Sequence, residues 1–262
     1  MFLKNSYLRG IISYFFANLL IYSGEVRKAK LAIFRNQTIH SLYFHNPSRK
    51  TFEKTITWLI NNKFSFCSSE DIVKFIKSGS PIPKGNIWLT FDDGWKLNIL
   101  NVIPILIKNK IPVTFFINSG IIKNEGLFWW EILKKRHKIL PSPLDTDYRV
   151  LWKLSESKRK KVVDFLFKHF SNDFIRQAMT IDDIKSLSKY DYIEFGSHTV
   201  NHVLTPNCNF SQLSTELRKS KEDIEELTGK MVSAFSYPNG DYSSRDIEVL
   251  KKQAYSLAAT TE

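Results

Sequence analysis

Two adjacent carboxylates open the chemistry of this chain. Asp92 and Asp93 stand in Thr90-Phe91-Asp92-Asp93-Gly94, where a short apolar run meets a glycine. Like charges side by side repel, so the pair is costly unless a cation or a shared proton relieves it. If one carboxylate binds a metal, the other stays free as a base; the alternative is that one of them simply caps the helix that follows. A second set, Ser197-His198-Thr199-Val200-Asn201-His202, spaces two imidazoles four apart. That spacing puts both on one face of a helical turn, within reach of a single ion. Two histidines and one aspartate leave coordination open for water and substrate, as a catalytic rather than a structural metal requires. The third set, Phe235-Ser236-Tyr237-Pro238-Asn239-Gly240, reads as a tight turn after a strand. Such a turn exposes backbone N–H groups suited to an oxyanion, or is an ordinary surface turn.

The elements around these sets must bring them together. Apolar runs at 87–91, 113–118, 192–196, 232–237 and 256–260 read as strands, and helical spacing recurs at 51–63, 69–76, 97–109, 211–228 and 244–253. Alternating strands and helices imply α/β architecture with parallel strands, in which sites form at strand C-termini. All three sets follow strands. Residues 120–180, with Trp129-Trp130 and a basic run at 134–138, read as a helical insertion. Periodicity alone does not choose between an open sheet and a barrel.

In this order the three sets resemble the polysaccharide deacetylase family, the NodB-homology domain of carbohydrate esterase family 4. The resemblance rests on TFDDG at 90–94, SHTVNH at 197–202 and YPNG at 237–240, supported by PVTFFINSG at 112–120 and by Leu257–Glu262, and it covers 40–262. It implies a distorted (β/α) barrel with fewer than eight regular strands. It also implies that Asp93, His198 and His202 hold a divalent metal, Zn²⁺ by family habit. Asp92 would then be the general base and the Asn239 backbone N–H the oxyanion donor, beside Pro238. The reaction implied is removal of N-acetyl groups from amino sugars of a polysaccharide or lipid-linked glycan; a non-catalytic carbohydrate-binding protein on the same fold is the alternative. Leu127-Phe128-Trp129-Trp130 looks like an insertion seen in surface-polysaccharide members. Trp129 and Trp130 either form a sugar-stacking wall or pack the insertion. His45, where many relatives carry a Tyr-His pair, either lines the site or is structural.

Two departures stand out. The family often has an arginine two residues before the proline of the third set, where this chain has Ser236. The family's general-acid histidine lies near its C-terminus, yet none of the six histidines here follows the third set. The acid is then left to a segment beyond Glu262 or to another group.

Residues 1–39 form a separate N-terminal segment. The run IISYFFANLLIY at 11–22, preceded by Lys4 and Arg9, is shorter than the roughly 20 apolar residues that span a bilayer. It reads as a packed or membrane-surface helix, a signal without a small-x-small cleavage pattern, or a partner-binding segment. A cytoplasmic protein, or one peripheral at the inner membrane surface, is expected rather than a secreted one. The net charge of +12 suits an anionic neighbour, but the basic residues are scattered and no nucleic-acid motif is visible. Cys67 and Cys208 lie in no metal or disulfide pattern. The oligomeric state is not legible.

Overall fold

A computed structural model describes residues 6–145 and 147–261, with side chains before Ile12 and that of Tyr148 left aside. Lys4, the Arg9 side chain and Glu262 therefore lie outside the described residues. The architecture is a curled, wholly parallel sheet of seven strands: β1 (Ile39–Phe44), β2 (Ser65–Cys67), β3 (Asn86–Phe91), β4 (Val113–Ile117), β5 (Ile193–Ser197), β6 (Ala234–Ser236) and β7 (Leu257–Ala259). Their order is β1-β3-β4-β5-β6-β7, with the short β2 sharing one edge of β3 with β4. Among the described residues β1 and β7 are not joined, so the expected barrel is an incomplete one.

Alternation along the strands divides the core in two. Phe91, Phe115 and Phe195 stand in register across β3, β4 and β5, with Phe44 of β1 opposite Phe91. They face the helical side, where Phe52 and Ile56 of the helix Arg49–Asn61 meet them. The opposite parity fills the barrel interior with Trp88, Phe116, Ala234 and Cys67. Gly196 is required there, because a Cβ at this position would come within 2.6 Å of the Phe116 ring.

Two sequence expectations are corrected. The single helix expected at 97–109 is two, Asn98–Asn101 and Ile103–Asn109, broken at Val102. Pro104 has no N–H to bond back to Leu100 and its ring crowds that carbonyl, so the first helix stops and the second begins with proline in its first turn. The strands β1 and β2 were not read from periodicity, and three-residue β2 is too short to show any. The insertion between β4 and β5 is helical as expected. Its helices Trp129–Arg136 and Glu156–Phe170 enclose a satellite core of Trp129, Ile132, Leu133, Leu151 and Leu166.

Candidate functional site

Strand parity aims the site. Asp92, Asn118, His198 and Ser236 continue the interior-facing positions of β3, β4, β5 and β6, one step past or at their C-terminal ends. The ladder runs on with them: Asp92 N–H donates to the Phe44 carbonyl at 2.9 Å and His198 N–H to the Ile117 carbonyl at 3.0 Å. Asp93 then departs from strand geometry at φ 71°. This left-handed turn, followed by Gly94 at φ 74°, lets two consecutive carboxylates approach one point instead of opposite faces. Neither aspartate caps a helix, since the residue before Asn98 is Leu97, without a side-chain cap.

Asp93 Oδ1 lies 3.6 Å from His198 Nε2 and 3.5 Å from His202 Nε2, and all three residues are buried. These contacts are not ion pairs, because burial lowers the pKa of both imidazoles and keeps them neutral. His198 Nδ1 lies 2.7 Å from the Ser236 carbonyl oxygen. Only an N–H can bond to that acceptor, so the proton is on Nδ1 and the Nε2 lone pair is bare. Asp93 Oδ1 is buried with no hydrogen-bond donor, while its Oδ2 accepts from Trp95 Nε1 at 3.0 Å. A bare imidazole nitrogen and an unpaired, buried carboxylate oxygen thus face each other 3.6 Å apart. That arrangement is repulsive without a cation and is the donor set of a His₂–carboxylate metal site.

The sequence expected the two imidazoles to converge through a helical turn. Residues 198–202 are instead an irregular loop, with Thr199 at φ 65° and His202 at φ 52°. Side chains from other elements impose this shape. The Glu216 carboxylate accepts from the Val200 and Asn201 N–H groups at 2.8 and 3.1 Å. Asn118 Nδ2 donates to the His198 carbonyl, Arg159 Nη1 to the His202 carbonyl and Trp129 Nε1 to the Asn201 carbonyl. Gly120 lets the backbones close, its N–H reaching the Val200 carbonyl at 3.0 Å where a Cβ would collide with the Val200 side chain.

Asp92 stands beside this set as a half-buried residue whose Oδ1 has no donor. Burial pushes its carboxyl up to about 6, against the opposing pull of the His45 charge and of a hydrogen bond from the Ser236 side chain. Ser236 stands where the family often has arginine, and its hydroxyl lowers the Asp92 carboxyl only against the larger effect of burial. Asp93 is raised as well, chiefly by burial. His45 is exposed at the end of β1, with its carbonyl fixed by Asn98 Nδ2 at 2.9 Å, and its charge bears on Asp92, Asp93 and both site imidazoles. In the third set Pro238 is buried, and Asn239 at φ 61° and Gly240 at φ 78° form a left-handed turn at the end of β6. An Asn-Gly pair accommodates this conformation readily.

The two tryptophans part company. Trp129 is 3% exposed and packs between Trp152 and the Arg159 guanidinium, so it belongs to the insertion core and offers no sugar-stacking face. Trp130 is half-buried, with its ring 4.4 Å from that of His202 and stacked on Phe128. Sequence reasoning missed Arg159, Glu216 and Asn118, whose partners lie far along the chain and leave no local pattern.

Fold and site together define a (β/α)-barrel hydrolase-like scaffold with a His₂–Asp cluster at the strand C-termini. The polysaccharide deacetylase family model matches residues 79–258, and the chain belongs to that family. It is 25% identical over 189 residues, 63% of its length, to the poly-beta-1,6-N-acetyl-D-glucosamine N-deacetylase of Staphylococcus aureus strain N315, and spans 65% of that relative. Among solved structures it is similar to the Streptococcus pyogenes deacetylase PplD in complex with acetate, at TM-score 0.62 and 18% identity over 86% of this chain and 84% of that one. The structure of IcaB from Ammonifex degensii gives TM-score 0.61 and 17% identity over the same shares. At these identities the likeness is one of fold.

Proposed function

We propose that this protein is a metal-dependent deacetylase that hydrolyses N-acetyl groups on amino sugars of a polysaccharide or lipid-linked glycan. The observation that carries the reading is the unpaired Asp93 Oδ1 facing two imidazole Nε2 atoms, with a second, unligated carboxylate at Asp92. The name of the staphylococcal relative supports a β-1,6-linked N-acetylglucosamine polymer as substrate.

Asp93, His198 and His202 would hold the ion, Zn²⁺ by its preference for imidazole and carboxylate at three-ligand sites. When bound, such an ion supplies Lewis-acid activation of water and of the acetyl carbonyl. Asp92 accepts the proton of the attacking water, and a carboxyl raised to about 6 is a better base near neutral pH than an ordinary aspartate. Ser236 and the charge of His45 keep it ionised and oriented. As the water oxygen adds to the carbonyl carbon, the Asn239 N–H donates to the oxyanion, a contact typically worth about 3–4 kcal/mol of barrier. The C–N bond then breaks, and its nitrogen takes a proton to leave as the free amine, with acetate as the other product. His45, exposed at the rim of the same strand ends, is the proposed donor of that proton. Acetate release from N-acetylated glucosamine oligomers, abolished by a chelator and restored by Zn²⁺, tests the reading. A tightly bound metal with no acetate released would favour a carbohydrate-binding protein instead.

A further inference from the structure

The N-terminal helices are left unused by the site. The helix Ser6–Tyr22 exposes Ile12, Tyr14, Phe15, Phe16, Leu19, Leu20, Ile21 and Tyr22 around much of its described circumference. Solvent does not normally meet such a helix, which is either buried in protein or immersed in lipid. After the left-handed bend at Gly24 comes the helix Glu25–Arg35, which carries Arg27, Lys28, Lys30 and Arg35 against Glu25. Its end is anchored to the barrel: Phe34 packs edge-on to Phe64 and lies over Gly85, and Lys30 donates to Asn62 at 2.8 Å. Phe64 and Gly85 immediately precede β2 and β3. The second helix is thus fixed at the N-terminal end of the strands, with the first helix joined to it at Gly24, and the carboxylate–histidine cluster is at the other end.

We propose that residues 12–35 dock this protein on an anionic lipid surface, with the first helix immersed in one leaflet and the basic second helix at headgroup level. Charge complementarity selects this occupant, since an apolar helix joined to a cationic one matches the layered bilayer surface. A hydrophobic protein groove has no use for the second helix. Among the described residues no helix is long and apolar enough to cross a membrane. One consequence rests on the deacetylase reading. The six residues of β3 span about 20 Å, so the site opens roughly that far from the lipid and away from it. The glycan acted on is then one extended away from the bilayer, not a sugar held at headgroup level.

Flotation with phosphatidylcholine vesicles, with and without phosphatidylglycerol, tests the docking without any need for activity. The full chain should float with the anionic vesicles, bind the neutral ones less, and be weakened by salt. The exposed-position variant F16D/L19D should lose binding by at least about tenfold, and R27Q/K28Q should lose only the preference for anionic vesicles. Unchanged circular dichroism and melting temperature in both variants separate lost docking from lost folding. Three results would each overturn the proposal: no flotation of the full chain, a lipid-independent oligomer abolished by F16D/L19D, or an N-terminus of the mature protein that begins after residue 22.

Discussion

The Arg159 guanidinium, on the insertion helix, donates through Nη1 to the carbonyl oxygen of His202 at 3.0 Å. Arg159 is 2% exposed, pairs with Glu156 and lies over the Trp129 ring. The insertion is therefore not an appendage to the barrel, because it holds one of the two site imidazoles by its backbone. Arg159→Met should weaken Zn²⁺ binding by about 10–100-fold, the usual effect of removing a group that orients a ligand. Glu156, already raised by burial, would lose its cation, and breaking such a pair costs about 3–5 kcal/mol. Metal competition titration and denaturant unfolding read the two effects separately.

His198→Ala and Asp93→Ala should each abolish stoichiometric metal binding, since neither leaves three ligands. His45→Ala should leave it intact. Metal analysis of the purified variants checks both statements.

The barrel mouth was more legible than the loop that closes it. Strand parity alone aims Asp92, His198 and Ser236 into one opening, and that period of two can be counted in TFDDG, YIEFGSH and AFSYP. The insertion was legible as helical but not as a support for the site. A helical turn was the natural reading of two histidines four apart. The actual loop, left-handed at Thr199 and His202, depends on Glu216, Asn118 and Arg159, whose bonds to it arise only after folding. Trp129 was ambiguous for the same reason: an adjacent tryptophan pair does not say which ring the core will take.

Metal binding should stabilise the protein more at about pH 8 than at about pH 5, because ions compete with protons for these ligands. The signs follow from the site itself. Burial raises the carboxyls of Asp92 and Asp93 above the usual range, so their ionisation costs the metal-free fold stability as pH rises through the folded values, about 6 for Asp92. A cation removes that cost. The same burial lowers His198 and His202, which leaves them neutral and ready to ligate near neutral pH. Thermal melts with and without Zn²⁺ at the two pH values measure the difference.

If His45 supplies the proton to the leaving amine, His45→Ala should lower kcat by about 10²–10⁴-fold, with metal content unchanged. A kcat unchanged in His45→Ala would move the acid role to another group.

The central claim is that Asp92 does proton transfer beside a metal held by its neighbour. Acetate release from N-acetylated glucosamine oligomers by wild type and Asp92→Asn, compared at equal measured metal content, tests it most directly. Asparagine keeps the shape and removes the basic oxygen, so the account predicts undiminished metal and activity lower by at least about 10²-fold. Comparable acetate release from the two proteins would contradict it.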